Sequence, residues 1–125
     1  MWGFLKKFNW NILSVLWLAI IFFLLLYDGR VFEVEKPKLF PHVDKVVHSG
    51  LFAIWAFCLS FASIQRFAII RFLPIIIAIL IAAISSELIQ SMTTYRMGDP
   101  WDVLADIVGG GISLLILYLF IKKVN

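Results

Sequence analysis

Residues 95–111 read "YRMGDPWDVLADIVGGG" and run straight into the apolar stretch "ISLLILYLF" at 112–120. Asp99-Pro100 has the chemistry of a helix start. Aspartate is a preferred N-cap, and proline fits the first helical position because its missing N–H would have no partner there. From Trp101 to Ile121 the chain then has close to the roughly 20 residues that cross a bilayer's hydrocarbon core. Two carboxylates fall inside that span. Asp102 lies in the first turn, where the helix dipole favours an anion. Asp106 is one turn further, about 6 Å deeper at the helical rise, where the dipole no longer helps. A carboxylate at membrane depth costs roughly 2.5–3.5 kcal/mol on insertion scales, so Asp106 must face protein, water or a ligand. The four-residue spacing puts Asp102 and Asp106 on one face. Gly109, Gly110 and Ser113 continue that face, and small residues there let another helix come close. The glycines sit inside an apolar helix rather than between a strand and a helix, which excludes a phosphate loop.

The rest of the chain has the same character. Of 125 residues, 62% are hydrophobic and 15% charged, more apolar surface than one small soluble domain could bury. The lipid bilayer is the expected solvent. The net charge of +3 comes without basic runs beyond Lys-Lys pairs, which excludes a nucleic-acid groove. One cysteine, Cys58, permits neither an internal disulfide nor a CxxC motif and is expected to be a packing residue. Apolar spans run from about Trp10 to Tyr27, Val46 to Ile64, Phe72 to Gln90 and Trp101 to Ile121. Backbone facing lipid must satisfy its own hydrogen bonds, so each span is predicted to be a helix. The fold expected is an all-α, four-helix, up-down transmembrane bundle. The first span follows Lys6 and Lys7 but lacks a small-residue cleavage pattern after it, and reads as a retained anchor.

Lys6, Lys7, Arg66, Arg71, Lys122 and Lys123 fall on one side, with no acid among them. Arg30, Lys36, Lys38, Lys45 and Arg96 fall on the other, with all eight acids. The positive-inside rule puts both termini in the cytoplasm. Tyr27, Tyr95 and Trp101 suit the outer interface, and Trp10 and Tyr118 the inner one.

Two further polar sets lie at the same outer end. In "PHVDKVVHSG" at 41–50, Asp44 is a plausible N-cap and His48 follows one turn later. The positive end of a helix favours the neutral imidazole, able to accept a proton or bind a metal. Lys45 faces lipid headgroups or a bound anion, and His42 lies in the loop. In the third span Ala83, Glu87, Gln90 and Thr94 follow helical spacing. Glu87 stands near a helix C-terminus, where the dipole disfavours an anion, so it needs a partner: Arg96, or, if protonated, Asp106. The expected ligand-binding cavity comprises Asp44, Lys45, His48, Glu87, Gln90, Arg96, Asp102 and Asp106, contributed by three of the four helices.

The ordered set "DKVVH" at 44–48, "ELIQ" at 87–90, Arg96 and "DVLADIVGG" at 102–110 resembles the VanZ-like family. Its pattern is D-K-x-x-H opening one span, E-x-x-Q closing the next, then R, then D-x-x-x-N/D-x-x-G opening the last. The asparagine frequent at the last motif's second polar position is Asp106 here. The resemblance implies a single VanZ-like domain over residues 1–125, in a bacterial cytoplasmic membrane. It also implies an association with teicoplanin resistance, but supplies no reaction.

Three functions stay open on these residues. One is a cavity binding a cell-envelope headgroup or an amphiphilic glycopeptide antibiotic. The second is a membrane enzyme acting on a lipid-linked cell-wall precursor, with His48 as general base and Glu87, Asp102 and Asp106 holding a divalent cation such as Mg²⁺, which takes oxygen ligands. The third is a structural module with a satisfied polar network. No cofactor beyond such a cation is implied.

Overall fold

The computed structural model describes residues 3, 7–27, 42–93 and 98–124. Among them are four long α-helices: α1 (Trp10–Leu26), α2 (Val43–Phe67), α3 (Phe72–Ser91) and α4 (Pro100–Val124). The acids and bases expected between 28 and 38, and Thr94, Tyr95 and Arg96, lie outside the described residues, as does Lys6.

Local chemistry explains the helix ends. Asn9 caps α1, its side chain accepting from the Ile12 N–H at 3.2 Å. α2 opens on His42, in the left-handed region at φ 66° and without a capping bond. It closes on Ala68, also left-handed at φ 61°, whose N–H bonds back to the Ile64 carbonyl. Ser63 then holds the α2–α3 turn: its hydroxyl donates to the Ile69 carbonyl at 2.8 Å and accepts from the Arg71 N–H at 2.9 Å. Asp99 caps α4 as its sequence suggests, with Oδ1 accepting from the Trp101 N–H at 3.0 Å.

The helices alternate in direction. α1 runs against α2, with two tryptophans bonding across in opposite senses: Trp17 Nε1 to the Leu51 carbonyl at 2.9 Å and Trp55 Nε1 to the Ser14 carbonyl at 3.0 Å. α3 runs with α1, as the Gln90–Leu25 bond at their shared end requires. α4 runs with α2, since His48 meets Asp106 at one end while Phe61 and Leu117 share a cluster at the other. The core lies between the four helices around Ile21, Phe52, Trp55, Ile79, Ala83 and Leu114. Trp10, expected at a lipid interface, is instead buried against Phe57 and Phe61. Cys58 is a free, buried packing residue.

The outward faces are apolar: Leu73, Ile81, Leu88, Ile112, Ile116 and Phe120 are all exposed. In water such a continuous apolar surface would drive association. α2, α3 and residues Pro100–Lys122 of α4 are long and apolar enough to cross a membrane. α1, at 17 residues, is shorter, about 25 Å at the helical rise and at the lower limit for a span.

Two glycines set the spacing of α4. A Cβ on Gly109 would lie 2.6 Å from the Ser49 Cα and carbonyl carbon, and closer still to its oxygen. A Cβ on Gly110 would lie 2.8 Å from Ile79 Cδ1. Adjacent glycines therefore admit α2 on one side and α3 on the other, while Gly111 faces open space.

Candidate functional site: a buried Lys–Asp–His–Asp ladder

The close approach at Gly109 brings the first two turns of α2 against those of α4. Asp44, expected to cap α2, lies in its first turn instead, because the helix begins at Val43 behind His42. Its carboxylate is half exposed and 3.4 Å from Lys45 Nζ. Lys45 reaches across to α4, with Nζ 2.7 Å from Asp99 Oδ2 and 3.1 Å from Asp102 Oδ1. One turn deeper, His48 Nδ1 lies 3.0 Å from Asp106 Oδ1. His48 Nδ1 and Asp106 Oδ1 share one hydrogen bond there. His48 Nε2 faces Asp102 Oδ2 at 3.7 Å and has no hydrogen-bond partner among the described residues. Below the ladder, the Ser49 hydroxyl donates to the Ala105 carbonyl at 2.7 Å.

Burial is graded along this ladder. Asp102 is 4% exposed, and His48 and Asp106 are 1% exposed each. Lys45 and Asp99 keep about a quarter and two-fifths of their side-chain surface. The site is thus open at the Asp44–Lys45–Asp99 end and closed at Asp106. At the open end, the Lys45 ammonium and then the Trp101 N–H hold the Asp99 carboxyl below the usual carboxylate range.

The third helix contributes differently from its sequence spacing. Glu87 Oε1 accepts from the Asp99 N–H and packs against Gly98. It holds the entry of α4 and so aims the Asp99 carboxylate at Lys45. The described contacts of Asp106 run to His48, with no bond to Glu87. Gln90 is buried and turned toward α1, its Nε2 donating to the Leu25 carbonyl at 2.7 Å. It lies beside the end of α1 and not in the ladder. Arg96, expected to close the cavity, lies outside the described residues. Sequence reasoning gave Asp99 only a capping role and did not single out Ser49. Asp99 uses one oxygen for the cap and the other for Lys45, a double use that spacing along one helix cannot reveal.

The donor set does not suit a cation as it stands. Among the described residues, no group of three or more His, Cys, Asp or Glu side chains is placed to hold a metal ion. Lys45 Nζ lies between Asp99 and Asp102, the place a divalent cation would need.

No family model and no solved structure matches the chain. It is similar to an uncharacterized protein of the fission yeast Schizosaccharomyces pombe, 28% identical over 109 residues. The match covers 82% of this chain and 64% of the yeast protein's length. That relative is eukaryotic, so it lends no support to a bacterial source.

Proposed function

We propose that the chain is a multi-pass membrane protein of the VanZ-like type whose ladder binds the headgroup of a membrane-resident amphiphile. The VanZ-like reading would place both termini in the cytoplasm and the ladder at the outer leaflet of a bacterial cytoplasmic membrane. Its ligand there would be an envelope headgroup or an amphiphilic glycopeptide. The observation that carries the binding reading is His48: a side chain 1% exposed, oriented by Asp106, with a ring nitrogen lacking a hydrogen-bond partner. A ligand group bonded to that nitrogen, which lies 3.7 Å from Asp102 Oδ2, would recover the roughly 1–3 kcal/mol that a buried unbonded polar group costs.

The ligand is defined here by charge. Asp44, Asp99 and Asp102 stand around the single ammonium of Lys45, an excess of carboxylates that favours a headgroup bearing an amine. An incoming ammonium takes the place of Lys45 Nζ between Asp99 and Asp102. A neighbouring N–H or O–H of the headgroup then bonds to His48 Nε2. A divalent cation such as Mg²⁺ would have to displace Lys45 in the same way. The test is thermal stability of the purified protein in neutral detergent with a long-chain alkylamine, against an alcohol of equal chain length. The amine should stabilise the protein more than the alcohol, and Asp102→Asn should abolish the difference. Equal stabilisation of that variant would refute the reading.

A second reading draws on the same geometry. Asp106 holds the imidazole by Nδ1 and leaves Nε2 to take a proton, as a general base on a lipid-linked substrate requires. Turnover of labelled lipid-linked precursors by the purified protein, lost in His48→Gln, would establish it. No turnover of any precursor would leave binding as the function.

A further inference from the structure

At the opposite end of the bundle two arginines meet on one aromatic ring. Arg66 ends α2 and Arg71 precedes α3, and both guanidinium groups lie over the Phe67 ring, their central carbons 5.3 and 4.8 Å from its centre. Neither has a carboxylate partner among the described residues, and no acid lies in the first turn of α3. Two like charges are thus gathered on one ring with no carboxylate paired to them among the described residues. Arg71 stands at the N-cap of α3 and provides no side-chain cap, so Phe72 and Leu73 keep first-turn N–H groups that can face an anion, whereas Pro74 at the third position has none. The backbone there is held, since Ser63 accepts from the Arg71 N–H and donates to the Ile69 carbonyl.

A cavity of about 190 Å³ opens beside these groups, between α1, α2 and α3. Asn11, Ser63, Arg66 and Arg71 give it polar lining, and its apolar lining includes Leu59 and Ile75. We infer that this cavity is a binding site for the phosphate of an anionic phospholipid. The paired guanidiniums hold the phosphate oxygens, and the apolar wall takes the start of an acyl chain. Guanidinium matches phosphate in a bidentate, planar way that an ammonium does not. The apolar wall selects a lipid over free phosphate. The inference needs the helices to lie in lipid but is independent of the His48 ladder.

The test uses the full chain in neutral-detergent micelles, titrated with phosphatidylglycerol, phosphatidylcholine or inorganic phosphate, with bound lipid counted by native mass spectrometry. One phosphatidylglycerol should be retained in preference to phosphatidylcholine. Its binding should weaken about tenfold or more, the scale of a lost charge-assisted contact, in the Arg66→Gln/Arg71→Gln double variant. The Arg66→Lys/Arg71→Lys variant keeps the charge and should also weaken. Lys122→Gln, which removes an exposed base at the same end of the bundle, should bind as the parent does. Full binding by the double lysine variant would reduce the effect to general surface charge and overturn the site. So would equal retention of phosphatidylcholine. Displacement of phosphatidylglycerol by millimolar inorganic phosphate would make it a free-phosphate site and overturn the lipid assignment.

Discussion

Gly109→Ala should damage this protein far more than the same change two residues later. The new Cβ would sit 2.6 Å from the Ser49 Cα and carbonyl carbon, whereas ordinary carbon contacts lie near 3.5 Å or beyond. Both partners are backbone, so no side chain can swing away. α2 and α4 must part by about 1 Å or more, exactly where the ladder spans them. That movement stretches the His48–Asp106 bond from 3.0 Å and the Ser49–Ala105 bond from 2.7 Å. Overpacking costs about 1–3 kcal/mol, and loss of a charge-assisted buried bond about 1.5–3 kcal/mol. The helix propensity of alanine returns up to about 1 kcal/mol. The net expectation is a loss of about 1.5–6 kcal/mol on these terms. Gly110→Ala meets the side chain of Ile79, a neighbour that can give where backbone cannot, and should cost about 1–3 kcal/mol before the alanine propensity gain, less than Gly109→Ala. Gly111→Ala enters open space and should be neutral or stabilising. Thermal unfolding of the three purified variants in one detergent, followed by tryptophan fluorescence, measures the order. Gly109→Ala melting with the parent, or Gly111→Ala falling as far, would refute the packing argument.

Other expectations follow from the ladder. Asp106→Leu eases insertion but leaves His48 buried without its acceptor, so it should destabilise by roughly 1–3 kcal/mol; Asp106→Asn keeps an acceptor and should lose less in the same melt. Glu87→Ala removes the acceptor of the Asp99 N–H, so amide exchange at residue 99 should rise, while Glu87→Gln, which keeps a carbonyl oxygen, should preserve protection. The Asp99 carboxyl is held low by Lys45. Its contribution should be complete above the unfolded value of about 3.9 and vanish as pH falls through the lower folded value. Lys45→Gln should therefore flatten the acid side of the stability profile, and an unchanged profile would contradict the Lys45–Asp99 pairing.

Much of this architecture could be read in the residues, for identifiable reasons. The α3 and α4 boundaries follow punctuation that the chain carries openly, an arginine before Phe72 and Asp-Pro before Trp101. α2 runs from Val43 to Phe67, beyond the expected 46–64, because its polar first turn and its Gln65-Arg66 end are helical although not apolar. The insertion cost of Asp106 pointed to a partner, and the four-residue spacing put Asp102 on the same face; both meet α2 in the structure. What spacing could not reach is which neighbour a polar residue meets. The helical spacing of Glu87 and Gln90 in α3 placed both in one cavity, and nothing in it indicates that Gln90 turns to the Leu25 carbonyl of α1. Lys45 and Asp99 are 54 residues apart, and their pairing follows only from the helix approach that Gly109 permits.

The central claim is that the ladder from Lys45 to Asp106 is one ligand site. It is tested most directly by native mass spectrometry of gently extracted protein. The parent chain should retain an amine-bearing amphiphile. Asp102→Asn and His48→Gln should each lower its occupancy, and the double variant should be little worse than the poorer single, because residues that share partners couple. Parent protein carrying no amine-bearing adduct, or an adduct retained undiminished by both variants, would contradict it.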